Sequence, residues 1–176
     1  MANAAYGSFV FGLRDLKVTN LAGTLQEDLL GGQELSFKPE FRGGEQYGDD
    51  RLLSVISFIV GGTADVTAGA LSSAAMAIMF GRTLTVGGTS PNETTTMKLS
   101  AGDNMPYFKL YGQSVSENGD GLHVLLAKCK VMSGGAVEMR ENGFYSPSFS
   151  LRVVDDGTNG VARIIQNETA TSLPTS

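Results

Sequence analysis

The 176-residue chain has one cysteine (Cys129), one histidine (His123) and no tryptophan, and each scarcity excludes something. A lone cysteine forms no internal disulfide, so the fold must be held by burial, as in a reducing cytosol. A structural zinc site takes four N or S ligands, and this chain offers two. Cys129 has no CxxC partner and reads as a buried, inert thiol. His123 shares the strand parity of Leu125, Ala127, Cys129 and Val131. A general base or metal ligand is one reading of it. The inventory favours the other, a partly buried structural histidine at the start of a strand. Spacing alone leaves a Ser-His-Asp arrangement open, but there is no GxSxG elbow. The glycine-rich segments match neither GxxxxGK[ST] nor GxGxxG. No cofactor, metal or catalytic residue is therefore expected.

Long apolar runs are also missing. None approaches the roughly 20 residues of a membrane helix, so no membrane insertion is expected. Residues 1–8 have neither the basic region nor the apolar stretch of a secretory signal. Without such a signal, the acceptor patterns at Asn92 and Asn167 are expected to be chance matches. Positive charge is scarce too: 13 Lys and Arg stand against 18 Asp and Glu, a formal −5. That argues against a nucleic-acid clamp, which works by neutralising phosphates.

Glycine is abundant, with 23 residues, several in pairs such as Gly43-Gly44 and Gly61-Gly62. Glycine tolerates the positive φ of tight hairpins, and Asn118-Gly119, Asp120-Gly121 and Asp156-Gly157 add the same signal. The pattern predicts one mainly β domain over 1–176 with many short strands. A strand is expected over 8–19, where the apolar parity switches from Phe9, Phe11 and Leu13 to Leu16 and Val18, implying a bulge near Arg14-Asp15. Residues 33–42 alternate cleanly, with Leu35, Phe37, Pro39 and Phe41 on one side and charged or polar residues on the other. That is a strand with one wet face, its pairing weakened at Pro39. Residues 145–153 alternate in the same way. Residues 52–60 are apolar at both parities and predict a strand covered on both faces.

Further strands are expected at 83–89, 94–100, 107–117, 122–133 and 161–167. The single helix is expected over 71–80, with Leu71, Ala75, Ile78 and Met79 as its stripe, Ser72 or Ser73 as cap and Gly81 as stop. The calcium-like residues 155–160 lack the full loop spacing and predict a turn. Flexible interaction loops are expected at 20–32 and 43–50, and a loose tail at 168–176. The longer connection 39–53 carries Arg42, Glu45, Tyr47, Asp49, Asp50 and Arg51, the candidate contacts to a neighbouring subunit. Mixed charges of this kind give register and specificity.

Three segments, LSFKPEFRGGEQYGDDRLLSVISFI (35–59), GDNMPYFKLYGQS (102–114) and VDDGTNGVARIIQNETATSLP (154–174), carry a resemblance that spans nearly the whole chain. In order and context they resemble the major tail tube proteins of long-tailed bacteriophages. The resemblance implies a β-sandwich or barrel with one short helix, and subunits that form stacked hexameric rings around a continuous inner barrel. The implied product is a virion tail tube, assembled in the host cytoplasm, that encloses the tape measure protein and conducts DNA without binding it specifically. Tail terminator and baseplate or distal tail proteins would be its other partners. The extra immunoglobulin-like domain that some of those relatives append is not expected here. The wet-faced strands would line the duct, and six subunits of −5 would give it an acid surplus that keeps DNA from sticking. Two rivals stand beside this expectation. One is a tube of the same kind in a tailocin or a type VI secretion-like machine. The other is a carbohydrate-binding or adhesin module using Tyr6, Tyr47, Tyr107, Tyr111 and Tyr145 as platforms.

Overall fold

A computed structural model describes residues 10–70, 72–116, 119–135, 141, 146–167 and 171–173. The chain is mainly β, with ten strands and one short helix among those residues. The strands are β1 (Val10–Asn20), β2 (Gln26–Asp28), β3 (Gly32–Gly48), β4 (Arg51–Ala68), β5 (Thr85–Gly87), β6 (Thr94–Thr96), β7 (Phe108–Ser116), β8 (Gly121–Gly134), β9 (Ser148–Val153) and β10 (Arg163–Asn167), and the helix, α1, is Ser73–Phe80. One antiparallel sheet runs β2-β1-β7-β8-β9-β4-β3, with β10 on the free stretch of β8; β5 and β6 form a separate hairpin. The sheet curls enough to bring Leu35 of β3 against Gly112 of β7 and close to Leu13 of β1.

The inner face of this curl is the core. Leu16 and Val18 of β1, Ala64 and Val66 of β4, Phe108 and Leu110 of β7, Leu126 and Cys129 of β8 and Phe149, Leu151 and Val153 of β9 are all essentially inaccessible. They alternate with outward polar neighbours, as a half-buried antiparallel sheet requires. Each fully buried Val, Leu or Phe contributes about 1.5–3 kcal/mol. The helix caps the inner face. Ala75 to Phe80 are all buried, a wider buried surface than the stripe the sequence pattern predicted. The cap and stop are among those predicted, although the helix begins at Ser73 and not at residue 71. Ser72 Oγ accepts from the Ala75 amide at 3.2 Å, and Gly81 closes the helix in the left-handed conformation at φ 64°. Leu71 lies outside the described residues.

The bulge expected near Arg14-Asp15 appears as a register shift between Phe11 and Asp15. Pro39 keeps its place opposite Gly62, and the β3–β4 register shifts just beyond it, between Glu40 and Phe41. Three expectations are corrected. Residues 43–48 are not a loop: they belong to β3, and the chain reverses at Asp49 and Asp50, both at positive φ (49° and 58°). Within the 20–32 loop, Gln26–Asp28 pairs with β1 as a short strand. The tail is held where it is described. Leu173 is buried, and the Thr171 carbonyl accepts from Gln113 Nε2 at 2.5 Å and lies 3.1 Å from His123 Nε2.

Candidate assembly surface

Strand β9 stops pairing with β4 at Gly62, but β3 and β4 continue as a two-stranded ribbon to the turn at Asp49-Asp50. The eleven-residue step from Gly62 to Arg51 extends this arm roughly 36 Å beyond the body, at about 3.3 Å per residue. Its register places Phe41 opposite Ile59, Arg42 opposite Phe58, Gly44 opposite Ile56, Glu45 opposite Val55 and Tyr47 opposite Leu52. Opposed residues share a face, and faces alternate along a strand. One face of the arm therefore carries Phe41, Glu45, Tyr47, Leu52, Val55 and Ile59, and the other carries Arg42, Ile56 and Phe58. Leu53 joins the second face, since its side chain lies where a Cβ on Gly48 would be.

All of this apolar surface is open in the single chain. Phe41, Tyr47, Leu53, Val55 and Ile56 are about 60% exposed, and Phe58 and Ile59 are about half exposed. The sequence predicted that residues 52–60 would be covered on both faces; within one chain they are covered on neither. A lone hairpin is marginal in water. Monomeric proteins seldom expose a continuous apolar patch above about 300–600 Å².

The six candidate contact residues all lie on this arm. Arg42, Glu45 and Tyr47 are on β3, Asp49 and Asp50 form the tip, and Arg51 opens β4 opposite Gly48. The Tyr47 hydroxyl donates to the Glu45 carboxylate, a bond that raises the phenol above its ordinary pKa and ties the two side chains on one face. Charge-based reading missed the larger group: Phe41, Leu52, Leu53, Val55, Ile56, Phe58 and Ile59. Their signal was the run of apolar residues at both parities, which says that a strand is covered without saying by which chain.

At the arm's base the outward faces of β3, β4 and β9 form one polar wall. Its rows read Glu34–Thr67–Ser148, Ser36–Asp65–Ser150 and Lys38–Thr63–Arg152. Ser150 Oγ donates to Asp65 at 2.9 Å, Lys38 lies 3.7 Å from Asp65, and Arg152 pairs with Glu40. The two strands read separately as wet-faced thus share one surface. It holds three carboxylates (Glu34, Glu40, Asp65) against two cations (Lys38, Arg152), an excess of one negative charge.

On the far side of α1, a groove of about 760 Å³ opens between the helix, residues 20–27 and residues 81–84, with Leu25, Ile78, Leu84 and Tyr107 in its lining. Leu21, Leu25 and Leu30 of the 20–32 segment are all about half exposed. Lys128 and Lys130 sit 5.0 and 5.3 Å from the centre of the Tyr107 ring, which makes a cationic patch beside this groove.

The chain matches no protein-family model, and no curated protein matches it in sequence.

The residues with potential for chemistry are dispersed. His123 is buried against the Thr171 carbonyl. Cys129 is inaccessible, and burial pushes its thiol far above the ordinary range, away from the reactive thiolate. Asp156, the centre of the calcium-like turn, spends its carboxylate on the side-chain amide of Asn159 and on the backbone amides of Asn159 and Thr158, which hold its pKa down to about 2. Among the described tyrosines, Tyr111 is buried, Tyr107 lies under two lysines and Tyr47 is near the arm's tip, so they do not make one sugar platform. Tyr6 and Tyr145 lie outside the described residues.

Proposed function

We propose that this chain is a structural subunit that polymerises into a tube, the tail tube of a long-tailed bacteriophage, and that it does no chemistry of its own. The observation that carries the reading is the arm: a roughly 36 Å ribbon with apolar residues on both faces and, among the described residues, unpaired backbone along both edges. Such a ribbon has a use only when other chains cover it. Closing strands from many copies into a shared barrel removes the open edges, and a heterologous contact that closes by rotation gives a ring. Hexameric rings stacked through further contacts are the arrangement the sequence resemblance implies.

The polar wall of β3, β4 and β9 supports the same reading. It is a smooth hydrophilic surface whose charges are largely neutralised by their neighbours, suited to facing a water-filled duct that DNA crosses without sticking. In this reading the tube surrounds the tape measure protein during assembly and meets terminator and distal tail proteins at its ends. The test is a dilution series of the purified protein imaged by negative stain. Rings and tubes that grow with concentration are the expected result. Particles that stay single at every concentration would refute the proposal.

A further inference from the structure

Given the self-assembly proposed for this chain, on which the inference rests, the arm's two apolar sides also fix how many copies meet there. A ribbon laid on one flat partner buries one face and leaves the other wet. Here both faces carry large exposed apolar side chains. Phe41, Tyr47, Leu52, Val55 and Ile59 are on one, and Leu53, Ile56 and Phe58 are on the other, each about half exposed or more. At about 150–200 Å² per large apolar side chain, the first face offers roughly 500 Å² and the second roughly 300 Å². Neither face alone reaches the ~800 Å² per partner of a standard stable interface, so a single copy seated on one face is not held, and the arm buries that much only when both faces are covered.

We infer that each arm is clamped between two other copies of this chain, one on each face, so that three chains meet at every arm and no dimer is a stable unit. The occupants are copies of this chain because the chain carries complementary features. Its acidic tip, Asp49-Asp50, has a counterpart in the cationic patch of Lys128 and Lys130 around Tyr107. Among the described residues, the unpaired edges of its arm have a counterpart in the outer edge of β2, which ends the sheet. A contact in which the donor and acceptor patches differ is heterologous, and it propagates instead of closing as a pair.

The test compares three proteins. The first is the unaltered chain. The second carries Phe41→Thr, Val55→Thr and Ile59→Thr, and the third carries Ile56→Thr and Phe58→Thr. Threonine is β-branched, which suits a strand, and it removes apolar contact. Thermal melts establish that the body is folded, since no arm residue belongs to the core. Sedimentation velocity then reads assembly. Both variants are expected to lower the assembled fraction at a fixed concentration by at least about ten-fold, and the unaltered chain is expected to pass from monomer to large species with no populated dimer. If either variant assembles like the unaltered chain, one face is idle and the inference fails while self-assembly stands. A stable dimer plateau would overturn it as well. If the unaltered chain does not assemble, the self-assembly reading itself falls.

Discussion

Gly43 and Gly44 are neighbours on the arm with opposite requirements. A Cβ on Gly43 would lie 2.3 Å from the Ile56 carbonyl oxygen, closer than any real contact, whereas a Cβ on Gly44 meets nothing within 4 Å. The first glycine lets the two arm strands approach; the second leaves space that a partner can use. Gly43→Ala should therefore disrupt the arm's ladder, and Gly44→Ala should leave it intact. Because no arm residue packs in the core, both variants should melt within about 0.5 kcal/mol of the parent. Assembly followed by light scattering should be lost with Gly43→Ala. With Gly44→Ala it should survive unless a partner's atoms fill that space, and equal behaviour of the pair would show that the ladder is not what assembly reads. Nothing in the residue pattern tells these glycines apart. Both read as turn residues, and only the register, with Gly43 opposite Ser57, distinguishes a tight approach from an open one.

Among the elements, α1 is the most legible, because its information is local. Ser72 caps it, Gly81 stops it, and its span differs from the sequence expectation by two residues at the start. Ser72→Ala removes the side-chain acceptor for the Ala75 amide and should cost about 1 kcal/mol. Gly81→Ala should cost at least as much. It puts a Cβ at φ 64° and within 3 Å of the Pro106 ring, so strain and crowding add. Chemical denaturation with unchanged m-values would check both. The strands of the body are legible for a similar reason, since alternation in β3 and β9 records which face is buried. The arm is not, because its local signals point elsewhere. Gly43-Gly44 and the polar run after it look like a turn, yet the reversal is made by two aspartates in the left-handed region, which Asp tolerates better than most residues. The apolar run of 52–60 correctly calls for cover on both sides. Periodicity has no term for a neighbour, so it assigns that cover to the chain itself.

At the scale of the whole molecule, body and arm are separable, and their separation gives the sharpest prediction. The core is made from β1, β4, β7, β8, β9 and α1 below the point where the arm leaves, and the arm's side chains contribute nothing to it. Glu40 and Gly61 are direct partners across the base of the ribbon. Replacing residues 41–60 with Asn-Gly would close the hairpin there through a two-residue turn of the type such loops favour. The Arg152–Glu40 ion pair at the base would be retained, though as a partly exposed pair it adds little. The shortened chain should fold, with a melting temperature within a few degrees of the parent, because what is lost is a ribbon that is marginal by itself. It should also stay monomeric at concentrations where the full chain forms large species, since the removed segment holds nine of the 17 large apolar side chains exposed among the described residues. Sedimentation velocity on both proteins at matched concentration reads the difference directly. Loss of assembly with the melt preserved would assign the arm to joining copies. Unchanged assembly would move the joining surface to the body, to the groove beside α1 and the half-exposed leucines of the 20–32 segment. Collapse of the melt would mean that the arm stabilises the chain that carries it, which its open faces in the single chain give no physical reason to expect.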